Sequence, residues 1–505
     1  MASFIIRRLI ASIFVLFAAT FLMYLLTALS GDPLQELRES NAPNKAELME
    51  ARTKLLNLDV PPFFRYFLWL GGIFRGDFGI SVQNQSVNVM LGNAIGATLQ
   101  LVTIATVVAI VLGIIVGIAS ALRQYSGFDY SVTFISFLFF SLPIFWVAVL
   151  LKQYMAIQIN NWLRDPVIAT ATIIIVALIA GLLWMSIVGG RALKKLITFG
   201  VSALATAGLL LYFSLTGWFN TPSIGIVGVA ITGVAVAFGV TAISTGLRNK
   251  KALYSSLIVV GIGVALYFPM MNGVFNFMTM PLFLTLIVAT IFLSGAVGWL
   301  MGGPDRWQSV RTAAIVGFMV ASVVALDKYM SYWAAYSNSS RINGRPIATV
   351  GAATPNLGGN FWIQGIDTFT HLLLPTIAIV LISFAGYTRY SRASLLEVMN
   401  QDYIRTARAK GLTERTVIVR HAFRNALIPI TTIIAFDVGA IVGGAVITET
   451  VFGWTGMGRL FVEGLNRVDP NPVMAFFLVT GTFAVVFNLI ADLLYAALDP
   501  RIKVS

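Results

Sequence analysis

The chain has 505 residues, 58% of them hydrophobic and only 11% charged, with a formal net charge of +13. A soluble domain carries roughly a quarter charged residues, so most of this chain must face lipid or other buried helices. It has no cysteine, which excludes disulfides, thiol catalysis and cysteine-ligated metal.

Crossing the hydrocarbon core takes about 20 apolar residues, and twelve segments qualify. Arg7 and Arg8 precede the first, Leu9–Leu29, which is longer than the 7–15-residue core of a cleaved signal, so it reads as an uncleaved span. Residues 31–96 follow as an external segment, helical around Lys45–Leu58, with Pro61-Pro62 and a glycine-rich turn region at Gly71–Gly79. Ala97–Leu122 and Val132–Ile159 come next. The block 164–365 then holds six spans: Val167–Val188, Leu196–Trp218, Ile224–Leu247, Leu253–Met271, Pro281–Gly302 and Thr312–Trp333. Asp327 and Lys328 interrupt the last of these, and Pro269, Asn272, Gly273 and Asn276 mark a turn inside the block. Gly225, Gly228, Gly233, Gly239, Gly261 and Gly263 read as close-packing positions rather than a ligand site. An irregular outer loop, Ser337–Thr370, leads to His371–Thr388, Ala426–Thr448 and Val473–Leu498.

Cytoplasmic loops collect Lys and Arg. With the N-terminus inside and twelve alternating spans, 21 of the 34 basic residues fall on the cytoplasmic side, including Arg501 and Lys503, against seven acids, Asp305 and Asp499 among them. Both termini are therefore expected in the cytoplasm, and the high isoelectric point reflects topology rather than nucleic-acid binding. The richest of these segments is 389–425, where eight basic residues face three acids around Arg405-Thr406-Ala407-Arg408-Ala409-Lys410-Gly411. No Gly-x4-Gly-Lys-Ser/Thr loop occurs, so ATP hydrolysis by that route is excluded. The two histidines, His371 and His421, form no cluster with acids and read as structural. No catalytic, cofactor or metal residue is assigned.

The segment RTARAKGL, followed by His421-Ala422-Phe423-Arg424-Asn425-Ala426-Leu427-Ile428-Pro429, resembles the cytoplasmic signature of permease subunits of the dipeptide, oligopeptide and nickel ABC importers. Arg405, Thr406 and Ala407 occupy the Glu-Ala-Ala positions of the general pattern, and Gly411 is its glycine. Phe4–Leu9, Gly31-Asp32-Pro33, Gly76-Asp77-Phe78-Gly79, Ala97–Leu101, Leu142-Pro143, Thr448–Phe452 with Gly456-Met457-Gly458, and Asp499-Pro500-Arg501 are similar to that branch too. Thr455 stands where the family usually has proline. The resemblance covers about 1–160 and 366–505 and leaves the central block uncovered.

It implies an all-α polytopic fold of six core spans, with about six more inserted at 164–365. The core would be 1–30 (first span), 31–96 (external), 97–163 (spans two and three) and 366–505 (spans four to six). It also implies that Arg405–Gly411, within the 402–421 loop, docks a separate ATPase that carries ATP and Mg. Small Ala407, Ala409 and Gly411 would admit the partner, while Arg405, Arg408 and Lys410 meet acidic or carbonyl groups. A second homologous permease, one or two ATPases and an external substrate-binding protein complete the implied assembly in the cell membrane. Asp437, midway through a span, is a pathway candidate or a structural hydrogen-bonding group. Glu449, with Arg459, is a candidate for the outer gate, and Asp492 and Asp499 read as structural partners of arginines. The rival reading is a stand-alone twelve-span secondary transporter, which calls for internal symmetry and coupled intramembrane charges.

Overall fold

A computed structural model describes residues 2–303 and 306–498. Asp305, Asp499-Pro500-Arg501 and Lys503 lie outside the described residues. Within them the chain is helical, with one isolated bridge between Ile80 and Ser86.

The N-terminal part contains α1 (Ala2–Leu29), α2 (Gln35–Glu39), α3 (Lys45–Leu55), α4 (Pro62–Ile73), α5 (Val87–Leu122), α6 (Gly127–Ser141) and α7 (Ile144–Leu150). A π-helical stretch, Leu151–Gln158, leads into α8 (Ile159–Trp162). The middle contains α9 (Thr170–Val188), α10 (Ala192–Leu215), α11 (Gly225–Ser244), α12 (Lys250–Ala265) and α13 (Tyr267–Asn272). It continues through α14 (Met280–Met301), α15 (Arg306–Ser331) and α16 (Trp333–Ser337). The remainder is α17 (Phe361–Met399), α18 (Asp402–Ala409), α19 (Glu414–Thr416), a π-helical turn Val417–Ala422, α20 (Phe423–Gly444), α21 (Val446–Phe452), α22 (Met457–Asn466) and α23 (Pro470–Leu498).

All twelve expected segments fall on helix. Among the described residues, ten helices are long and apolar enough to cross a membrane, or up to eleven if a bent pair is one span. That pair corrects the sequence reading of Val132–Ile159 as one continuous span, because α6 and the helix that follows it are bent by 102°. The cause is local. Leu142 precedes a proline, which disfavours helical backbone, and it is extended at φ −83°, ψ 131°. Pro143 brings no N–H to continue the helix and becomes the N-cap of α7.

The chain divides into two compact units. Unit one comprises the residues up to Ala156, Thr349–Ala352, and those from His371 onward; unit two comprises Ile157–Ala348 and Ala353–Thr370.

In unit one, α5 approaches α17 through glycines. A Cβ on Gly113 would meet Tyr387, and one on Gly117 would lie 2.6 Å from the Thr388 carbonyl oxygen, so only glycine permits this backbone contact. Arg8 of α1 pairs with Asp492 of α23 at 2.6 Å, the structural role read for that acid.

Unit two has its own apolar core, built on Val229, Ala237, Val260, Tyr267, Val316 and Val320. Of its glycines singled out by sequence, Gly233 meets Val260 and Gly263 meets Val320. Gly239 and Gly261 face open space, and Gly225 takes φ +64° at the start of α11, so these three are not packing positions. Gly298 and Gly317 are: a Cβ at Gly298 would lie 2.5 Å from the Ser309 carbonyl oxygen, and Gly317 is filled by Ser294. Asp327 does not disrupt α15. Its carboxylate accepts the N–H groups of Ile224 (2.6 Å) and Gly225 (3.1 Å), the Ser223 hydroxyl (3.2 Å) and the Tyr267 hydroxyl. Lys328 donates to the Met271 carbonyl (2.6 Å) and to Asn276 Oδ1 (2.9 Å).

Candidate functional site

The polar segment 389–425 of unit one is built outward from the end of α17. Arg392 makes a bidentate pair with buried Asp129 of α6, Nε–Oδ1 2.7 Å and Nη2–Oδ2 2.9 Å. Asp129 also accepts from the Ser120 hydroxyl and the Tyr125 N–H (3.0 Å), so its lone pairs are well used. Ser394 donates to the Ala426 carbonyl at 2.8 Å, tying the end of α17 to the start of α20. Arg389 stacks over Phe140, 4.8 Å from its centroid.

On this base sits α18. Ile404 and Ala407, three residues apart and so on one helix face, are buried against Ala121, Leu395, Val417, Ala422 and Ala426. Asp402, Arg405, Thr406, Arg408, Ala409 and Lys410 are exposed. The helix stops in a Schellman arrangement: the Gly411 N–H donates to Arg408 O (2.9 Å) and the Leu412 N–H to Ala407 O (3.4 Å), with Gly411 at φ +76°. Nothing lies within 4 Å of a Cβ placed on Gly411. Glycine is there for its backbone conformation.

Two expectations for this segment need adjusting. Ala407 faces the protein's own core, so its small size serves internal packing, and the outward surface is left to Arg405, Thr406, Ala409, Lys410 and Gly411. Arg408 is already bonded to Glu414 at 2.8 and 3.2 Å, because the turn at Gly411 folds the chain back. That bonding holds the Glu414 carboxyl below its usual range. Arg405 lies 3.4 Å from Asp402 but remains largely open. Tyr403 accepts from Asn425 (3.1 Å), which also donates to the His421 carbonyl (3.0 Å).

Three separate sequence motifs converge on Glu449. Its carboxylate is fully buried and accepts the Thr98 hydroxyl (2.6 Å), the Gly458 N–H (2.6 Å) and the Arg459 N–H (3.3 Å). Thr98 in turn accepts the Met457 N–H at 2.8 Å. The first N–H groups of α22, which have no partner within their own helix, are thereby satisfied by the α5 and α21 side chains. Gly456 and Gly458 leave room for the carboxylate, since a Cβ at either would lie within 3 Å of it. Trp454, fully buried, donates to the Ala97 carbonyl at 3.0 Å. Arg459 turns away to pair with Glu463 and donate to Gly453 O. Glu449 is thus an internal anchor in this conformation, and no exposed gate is formed by it. Asp437 lies partly buried on α20, within electrostatic range of the Tyr387 hydroxyl on α17. His371 is buried.

Sequence reasoning flagged the motif around Thr98 without its role, and missed Ser394 and the Asp129–Arg392 pairing. Asp129 carried a signal, as the single acid between the second and third expected spans. Among the described residues no group of three or more His, Asp or Glu is placed to hold a metal.

The family described as binding-protein-dependent transport system inner membrane component matches residues 257–504, a stretch that begins inside unit two and includes all of 389–425. The oligopeptide transport system permease protein OppB of Mycobacterium tuberculosis (strain ATCC 25618 / H37Rv) is 26% identical over 507 residues, covering 100% of both chains. The chain thus resembles this family over 257–504 and is similar to permease proteins along its whole length. The permease is also 24% identical over 506 residues to the oligopeptide transport system permease protein AppB of Bacillus subtilis (strain 168), again across both chains. The dipeptide transport system permease protein DppB of Escherichia coli (strain K12) is 46% identical over 145 residues, 29% of this chain and 42% of that protein. The chain is thus a multi-pass permease subunit of the cell membrane.

Proposed function

We propose that this permease is one subunit of an ATP-driven importer of di- or oligopeptides, forming half of the pathway with a second homologous permease. The observation that carries the coupling mechanism is α18, which buries Ile404 and Ala407 on its inner face and presents an exposed polar surface ended by Gly411. A partner that pushed on Arg405, Thr406, Ala409 and Lys410 would move the Ala121–Leu395–Ala426 cluster beneath, and with it the ends of α5, α17 and α20. One or two ATPases holding ATP and Mg would supply the push. An external binding protein would deliver the peptide, and both termini would lie in the cytoplasm. Six spans of 164–365 would be an insertion into a six-span core.

Relatives named for oligopeptide and dipeptide transport support the substrate class. The experiment is a mild-detergent pull-down of the tagged chain with partners identified by mass spectrometry, alongside uptake of labelled di- and oligopeptides. Recovery of an ATPase and a second permease, with ATP-dependent peptide uptake, is expected. Recovery of this chain alone from membranes that still take up peptide would favour the secondary transporter and make Asp437 the first residue to test.

A further inference from the structure

Unit two encloses a cavity of about 690 Å³, bounded by α12, α14, α15 and the α13 region. Its walls are almost wholly apolar, with Ile262, Phe283, Ile287, Val297, Leu300 and Phe318 among them; hydroxyls of Thr290, Ser294 and Ser322 are the polar side-chain groups. Ser322 is committed to the Phe318 carbonyl of its own helix. Dry apolar cavities do not hold water, which needs two to four polar partners. A polar substrate finds no recognition here either.

The walls also say what surrounds the cavity. Ile262 (45% exposed), Leu293 (65%) and Leu300 (74%) line it yet face outward, so it opens sideways from helices long and apolar enough to span a membrane. The medium at that opening is hydrocarbon. From Phe283 to Leu300 the cavity follows about 25 Å of α14 at roughly 1.5 Å per residue, most of the ~30 Å hydrocarbon thickness.

Charge distinguishes the two ends. Beyond Leu300, exposed Arg306 stacks on Trp299, 5.2 Å from the ring centroid, and donates to the Gly303 carbonyl at 3.2 Å. The exposed Lys251 ammonium rests against Gly303, and Lys250 and Arg311 are exposed nearby in sequence. At the other end Lys328 is buried and spent on Met271 O and Asn276 Oδ1.

We propose that unit two binds an anionic phospholipid, with an acyl chain in the α12–α14–α15 cavity and the phosphate against Lys251 and Arg306. Basic groups between span ends attract acidic head groups, so two of them select anionic over zwitterionic lipid by at least about 10-fold. Recognition is therefore divided: the cavity selects for a chain and the basic end for a head group.

The test is native mass spectrometry of the full-length protein in mild detergent, offered phosphatidylglycerol and phosphatidylcholine of identical chains. Wild type should retain phosphatidylglycerol preferentially, by about 10-fold or more. Lys251→Gln with Arg306→Gln should erase that preference, while Ala296→Trp, which fills the cavity, should remove both lipids. Ala321→Leu is a milder filling for use if the tryptophan variant does not fold. Equal retention of the two lipids by wild type, an unchanged preference after both charges are removed, or undiminished binding with the cavity filled would each overturn the proposal.

Discussion

Both units bury an acid that accepts backbone N–H groups at the start of a helix. In unit one it is Glu449, below the first turn of α22; in unit two it is Asp327, below the first turn of α11. Each joins segments that are distant in sequence, Thr98 with Glu449 and Ser223 with Asp327. The surroundings differ. Glu449 lies among glycines that admit its carboxylate, and the chain around it reads as a motif. Asp327 uses ordinary helix-start groups and a tyrosine, and in sequence it reads as an interruption of a span. A buried acid near a membrane span is therefore not by itself a pathway residue. In these two cases it replaces water at a helix N-terminus, where the dipole also favours negative charge.

Removing either acid should produce the largest effect. Glu449→Ala and Asp327→Ala each strand two helix-start N–H groups, and a buried donor left without a partner costs about 1–3 kcal/mol. Each variant should therefore lose about 3 kcal/mol or more in total, read as a lowered midpoint in thermal denaturation of the detergent-solubilised protein. If only Glu449→Ala were destabilising, the equivalence of the two anchors would fail.

A smaller effect separates the units through their glycines. A Cβ at Gly458 would lie 2.4 Å from the Val446 Cα, whereas one at Gly261 meets nothing within 4 Å. Gly458→Ala should destabilise by about 1–3 kcal/mol through overpacking. Gly261→Ala should be neutral or stabilising by about 0.5–1 kcal/mol, as expected of alanine inside a helix. The same denaturation assay reads both, and a shared sign would contradict the packing account.

The smallest effect is one of pH. Burial pushes the Asp469 carboxyl up to about 6, against the pull of the Val82 N–H, which donates to it at 2.7 Å. Between the ordinary value near 3.8 and about 6, folded Asp469 keeps a proton that the unfolded chain has released. Stability due to this group therefore falls as pH rises through that window and is flat above it. Asp469→Asn should flatten the dependence of the denaturation midpoint between pH 4 and 6; an unchanged slope would show that Asp469 is not its source.

Most spans were legible because lipid imposes a composition that nothing else in the chain shares, and among the described residues ten helices, or up to eleven with the bent pair, are long and apolar enough to cross a membrane. Gly411 was legible as a helix stop because its residue type predicts the left-handed backbone it adopts. The bend at Leu142–Pro143 was visible as a proline, but its 102° angle depends on packing that no local rule fixes. Alanine at 407 was ambiguous, since a small side chain suits both a docking face and a tight core. Arg408 looked available because its partner, Glu414, lies beyond the turn. Asp129 and Arg392 are 263 residues apart, and only the fold brings them together.

The central claim is that α18 docks an ATPase, and the absence of cysteine from the sequence makes it directly measurable. A single Lys410→Cys substitution, placed on the exposed end of α18, would be treated with a short thiol-to-amine cross-linker in membranes that take up peptide. The account predicts one dominant adduct with an ATPase subunit, whose yield changes when ATP is added. Active transport with no ATPase adduct at this position would contradict it.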